Sequence, residues 1–273
     1  MNAPLTAHQP DGRLTTFDLK IIAVIAMTAD HIGWMFVPTA SAAGQGMHLI
    51  GRITLPVMCF FLTEGYHRTH NLRRYFARLS GFGLIAQFAY AYYQSGSFLW
   101  FREGSIIAGL LLSLLCVYIY HGGKERDPAD RSDCFGVSGR SAAERIPPAL
   151  RFPVIALLAL AAKKCDWGVA TVMFTMTFEL ARPYGIKMQC RAYLFAAVWY
   201  LLPYYYHMAA EPATITEKLF VTGVLLPALL LRFYNGKKGG GKYSRSFKWF
   251  FYVYYPVHLV LIRLIAERIA AKG

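Results

Sequence analysis

Charge is what this chain has least of. Charged residues fill 16% of its 273 positions, where an ordinary soluble domain carries about a quarter. Hydrophobic residues fill 56%, so too little polar surface remains to cover a water-soluble core, and the apolar excess requires lipid as its solvent. Acidic residues are the scarcer sign, 15 against 29 Lys and Arg. The basic excess does not point to nucleic acid, because the cations sit between apolar runs and not on amphipathic or aromatic-interleaved stretches. Cys59, Cys116, Cys134, Cys165 and Cys190 form no CxxC pair and keep no regular spacing, which argues against a disulfide framework or a zinc site. Residues Met1 to Asp18 hold no apolar run followed by a small-residue cleavage site and read as a short cytoplasmic tail. No internal repeat is evident, which weakens an inverted-repeat transporter reading.

What the chain does have is apolar runs of membrane-spanning length. A span needs about 20 mostly apolar residues, fewer where neighbouring helices shield polar groups. About nine segments qualify: Leu19 to Val37, Ile50 to Tyr66, Tyr75 to Tyr93, Ser105 to Tyr120, Pro148 to Ala162, Trp167 to Ala181, Arg191 to Tyr206, Leu219 to Tyr234 and Trp249 to Ile269. The expected fold is therefore all-α, a polytopic integral membrane helical bundle formed as a single membrane domain over 1–273. Lys and Arg accumulate in cytoplasmic loops, and here they alternate. Arg68, Arg73, Arg74 and Arg78, then Lys124 to Arg145, then Arg182, Lys187 and Arg191, then Lys237 to Lys248 lie on one side, against Arg102, Lys163, Lys164 and Lys218 on the other. That pattern places the N-terminus inside. Residues 121–146 and 236–248 read as flexible cytoplasmic loops; the Gly-Lys-Lys-Gly-Gly-Gly-Lys run in the second lacks the strand, the spacing and the Ser or Thr of a phosphate-binding loop.

Ionisable side chains inside a span cost roughly 2.5–3.5 kcal/mol on insertion scales and are functional candidates by default. Asp30 and His31 fall inside the first span, His258 inside the last beside Tyr254, Tyr255 and Pro256, and Gln87 inside the third. Their depth by residue count allows them to line one cavity. An adjacent acid and imidazole offer a base and its orienting partner. Gln87 is better read as an interhelical hydrogen-bonding group. Glu64 has i,i+3 and i,i+4 spacing to His67 and Arg68, which suits a catalytic acid and a helix-terminal ion pair equally. His67 and His70 are two imidazoles at i,i+3, but no carboxylate or thiol completes a set and no metal is expected. Asp166, just ahead of the sixth span, reads as a helix N-cap.

Several stretches resemble the TraX family of membrane proteins associated with bacterial conjugation: FDLKIIAVIAMTADHIGWMF, HLIGRITLPVMCFFLTEGYHRTHNLRRYFARL, LIAQFAY, DWGVATVMF and FFYVYYPVHLVLI. They reach both ends of the chain, while Ser95 to Arg151 resembles the family only weakly. The resemblance implies N-acetylation of a conjugative pilin subunit in the bacterial inner membrane, with acetyl-CoA as co-substrate. It also implies a distant likeness to membrane acyltransferases that carry a histidine in an early helix, comparable to His31, and a late Tyr-x-x-His, comparable to Tyr255 and His258. On that basis His31, Asp30, His258 and Glu64 are the candidate catalytic residues. Arg52, Arg68, Arg73 and Arg74 are the candidate cofactor-binding cations. His258, or a tyrosine beside it, is expected either to polarise the thioester carbonyl or to carry a transient acyl group. Two rival readings are a proton-coupled transporter or flippase, and an acyltransferase acting on a polysaccharide or lipid hydroxyl.

Overall fold

The computed structural model describes residues 12–123, 143, 145–211, 218–241 and 244–272. Most of the expected loop 121–146, the start of the N-terminal tail and Lys242 of the expected loop 236–248 lie outside them. The described residues are helical, without a named strand.

Helix α1 runs Thr16–Phe36 and begins with a capping box, in which Thr15 accepts from the Asp18 N–H and Asp18 accepts from the Thr15 N–H. Helix α2 covers Ala42–Gly51 behind a Ser41 cap, α3 Thr54–Arg68, and α4 Leu72–Ser95 behind an Asn71 cap. Then follow α5 (Ile106–Tyr120), α6 (Pro148–Ala161), α7 (Val169–Ala181) and α8 (Ile186–Ala210). A 3-10 helix, Leu219–Leu225, leads into α9 (Leu226–Arg232), and α10 (Ser244–Ala270) runs through Pro256 without ending there.

Each expected span falls on a helix. Among the described residues three helical segments are long and apolar enough to cross a membrane, Thr16–Phe36, Ala42–Arg68 and Trp249–Ala270, beside the shorter apolar Ile106–Tyr120 and Leu219–Arg232. The expected second span starts at Ile50, whereas its helix begins earlier, at Ala42, and turns at Arg52 and Ile53 before α3. Large apolar side chains face outward on α1 (Ile25), α4 (Leu84, Ile85), α6 (Leu157), α8 (Phe195, Trp199), α9 (Leu229) and α10 (Leu261). Outward apolar faces on so many helices fit a lipid environment.

The chain packs as two compact units, Met1–Met58 with Leu180–Gly273, and Cys59–Glu179. In the first, α1 packs on α2 and α10, α2 on the 3-10 helix, and α8 on α9. Its entry is fixed by main-chain bonds: the Thr16 and Phe17 N–H groups donate to the carbonyls of Lys237 and Lys238 (2.9 and 3.0 Å), so the start of the expected 236–248 loop is held against the start of α1. In the second unit, α5 packs on α4 and α6. There Gln87, expected to bond between helices, bonds instead to the main chain ahead of α5: its Nε2 donates to the Glu103 carbonyl and its Oε1 accepts from the Ser105 N–H, fixing the approach to α5. The residues after Asp166 enter α7 through a left-handed turn, with Trp167 at φ 63° and Gly168 at φ 55°.

Candidate functional site

Asp30 and His31 occupy consecutive positions on α1, and consecutive helical residues diverge by about 100°. They therefore serve different neighbours. Asp30 is buried and turns to α2, where its Oδ1 accepts from His48 Nδ1 (2.7 Å) and its Oδ2 from Arg52 Nη2 (2.8 Å). A carboxylate only accepts, so the His48 proton sits on Nδ1. His48 is fully buried, with the tilted rings of Trp34 at 4.1 Å and Phe220 at 5.3 Å; Arg52 lies over the Phe220 ring at 5.2 Å. Room for this network comes from Gly51, where a Cβ would stand 2.4 Å from the Asp30 side chain.

His31 turns to α10. Its Nδ1 lies 3.0 Å from His258 Nε2, and His258 Nδ1 lies 2.9 Å from the Tyr254 carbonyl. These two bonds fix the protons. A carbonyl cannot donate, so His258 carries its proton on Nδ1 and, when neutral, offers Nε2 as an acceptor only. His31 Nδ1 must then be the donor, which leaves the lone pair of a neutral His31 on Nε2. The Tyr254 ring stacks on His258 at 5.0 Å and 11°, and the Tyr254 hydroxyl pairs with Thr28 (2.7 Å), itself one turn before His31 on α1. Tyr255 stands edge-on to His31 at 6.4 Å.

Four of the sequence candidates thus meet in the first unit: Asp30, His31, Arg52 and His258. Asp30 anchors α1 to α2 through His48 and Arg52, and the expected role of orienting the His31 ring falls to His258 and the Tyr254 carbonyl. Arg52, expected to hold a cofactor phosphate, carries the ion pair to Asp30. The remaining candidates belong to the second unit. Glu64 is buried and accepts from Arg68 at 2.7 Å, the i,i+4 ion pair that its spacing allowed. Arg73 and Arg74 are exposed in the first turn of α4, where Asn71 accepts from the Arg74 N–H. Gln87 also lies in this unit. His48 and Thr28 were missed by sequence reasoning. His48 had a signal, a histidine in an apolar stretch followed by Arg52 one helical turn later.

The family model described as TraX protein matches residues 16–266. The chain belongs to the TraX family. One relative, named a probable fimbrial assembly protein FimC of serogroup H1 from Dichelobacter nodosus, is 34% identical over 258 residues, covering 91% of this chain and 94% of that protein. An uncharacterized protein of Rickettsia prowazekii (strain Madrid E) is 34% identical over 102 residues, 37% of this chain and 36% of its own length. No solved structure matches the chain. The family match includes α1 and the His258 segment of α10, so both imidazoles of the hydrogen-bonded pair lie inside it.

Proposed function

We propose that this TraX-family protein works in pilus assembly as a multi-pass acetyltransferase of the bacterial inner membrane, moving an acetyl group from acetyl-CoA to the amino terminus of a pilin subunit. Family membership and the relative named for fimbrial assembly support the biological setting. The alternation of basic loops supports about nine crossings with a cytoplasmic N-terminus. The observation that carries the chemical reading is the imidazole pair, whose hydrogen bonds leave the basic lone pair on His31 Nε2.

In this reading a neutral pilin amine attacks the thioester carbonyl carbon. The N–C bond forms and the C–S bond breaks; the amine proton passes to His31 Nε2 and from there to the departing coenzyme A thiolate, which leaves as the thiol and returns His31 to its neutral form. As His31 becomes cationic, its Nδ1–H still points at His258 Nε2, so the charge is shared into a fixed acceptor that needs no reorganisation. Asp30 acts one step back, holding the rotation of α1 through Arg52 and His48. Arg73 and Arg74, exposed at the N-terminal end of α4, supply cations suited to the phosphates of acetyl-CoA. Glu64, ion-paired to Arg68, has a structural role at the end of α3.

Intact-mass measurement of a pilin expressed with and without this protein tests the proposal. A gain of one acetyl group that disappears with His31→Ala, in folded and membrane-inserted protein, is the expected result. Unmodified pilin alongside consumption of acetyl-CoA would move the acceptor to a polysaccharide or lipid hydroxyl. Two linked imidazoles also suit a proton path, and solute movement in sealed vesicles without any acyl donor would replace the transferase with a transporter or flippase.

A further inference from the structure

We infer that the Cys59–Glu179 unit holds one divalent transition-metal ion between His67, His121 and Glu179. The three residues come from three helix ends: His67 from the last turn of α3, His121 directly after α5, and Glu179 from the last turn of α7. Their candidate ligand atoms all lie within 4.8 Å of one another. Both imidazoles aim Nε2 at the same carboxylate oxygen, His67 at 2.6 Å and His121 at 2.8 Å from Glu179 Oε1. The second oxygen, Oε2, is buried with no hydrogen-bond partner among the described residues. The set therefore converges on one point and still has acceptor capacity unused.

Two imidazole nitrogens and a carboxylate match the ligand preferences of zinc and leave a fourth position open. Tetrahedral coordination at about 2.0–2.1 Å sets ligand atoms about 3.4 Å apart, so the two imidazoles need to withdraw from the carboxylate by less than about 1 Å. The site has an entry side: Glu179 and His67 side chains are 3% and 6% exposed, whereas His121 is 32% exposed. Aromatic neighbours hold the rings in place, with Tyr66 stacked on His121 at 5.4 Å and 18° and Tyr120 edge-on at 5.1 Å. The carboxylate that the His67 and His70 spacing lacked arrives from 112 residues further along the chain. His70 itself is exposed. An ion here ties the ends of α3, α5 and α7 together.

The test uses full-length protein in detergent, stripped with a chelator and titrated with Co2+, read by visible d–d absorption and chased with Zn2+. One equivalent should give the intense bands of low-coordinate cobalt and be displaced by zinc. Glu179→Gln and His121→Ala should weaken the affinity by more than about 100-fold, since even outer-shell changes cost about 10–100-fold; His70→Ala should bind as wild type. A wild-type titration that yields only the pale spectrum of aqueous cobalt overturns the proposal and leaves a purely hydrogen-bonded His-Glu-His cluster. So does a cobalt spectrum that survives His121→Ala, the variant at the most exposed of the three positions and the least demanding on folding.

Discussion

Replacing Arg52 with Gln removes the cation from the carboxylate that fixes α1 against α2. Taking one partner out of a buried ion pair costs about 3–5 kcal/mol, because the survivor is left charged in a poor solvent. Here the two side chains retain 13% and 12% exposure, and His48 Nδ1 still donates to Asp30. Those two features bring the expected loss to about 2–3 kcal/mol. The comparison is Arg263→Gln: its guanidinium is 26% exposed and pairs with Glu267, 42% exposed, by i,i+4 geometry on one helix. That variant should cost about 1 kcal/mol at most. Replacing both charges, Asp30→Leu with Arg52→Met, removes the stranded charge but leaves the buried His48 Nδ1–H without its acceptor, so it should recover only part of the loss. Reversible unfolding in mixed micelles by titrated SDS, followed by helical circular dichroism, measures each protein, and adding Asp30→Leu and Arg52→Met alone completes the double-mutant cycle that gives the coupling energy. If Arg52→Gln costs no more than Arg263→Gln, the Asp30 pair is hydrated and its anchoring role is wrong.

Two further outcomes follow from the same unit. His258→Ala removes the acceptor for His31 Nδ1 and should lower the acetylation rate by about 100-fold or more, whereas Tyr254→Phe keeps the carbonyl that orients His258 and should lose about 1 kcal/mol of stability with the Thr28 bond; single-turnover transfer assays on both separate the two effects, and equal rates would dissolve the relay. A Cβ at Gly223 would stand 2.0 Å from the Leu49 carbonyl oxygen, backbone that cannot yield, so Gly223→Ala should part the 3-10 helix from α2 and cost more than about 3 kcal/mol, visible as a collapse of the monodisperse fraction in size-exclusion chromatography.

Helix positions were legible because they depend on local quantities. Apolar run length and basic punctuation located a helix under every expected span, and the Glu64–Arg68 pair could be read from its i,i+4 spacing. The start of α2 was not, since AAGQGMHLIG is too short and too rich in glycine to read as the continuation of a span. The site was half legible. Asp30, His31 and His258 stood out because polar groups are costly in lipid, but their adjacency suggested a pair where helical rotation makes them diverge. His48 and Glu179 find their partners 18 and 112 residues away, and spacing along one helix carries no record of such meetings. The basic glycine run beginning at Gly236 likewise reveals nothing of the main-chain bonds from Lys237 and Lys238 to the entry of α1.

The contact between His31 and His258 joins positions separated by 227 residues. During synthesis, helix α1 is made first and α10 last, so every intermediate on the ribosome carries His31 without its acceptor. The pairing of the two imidazoles is thereby postponed to the end of translation: it forms only when the final helix docks on the first.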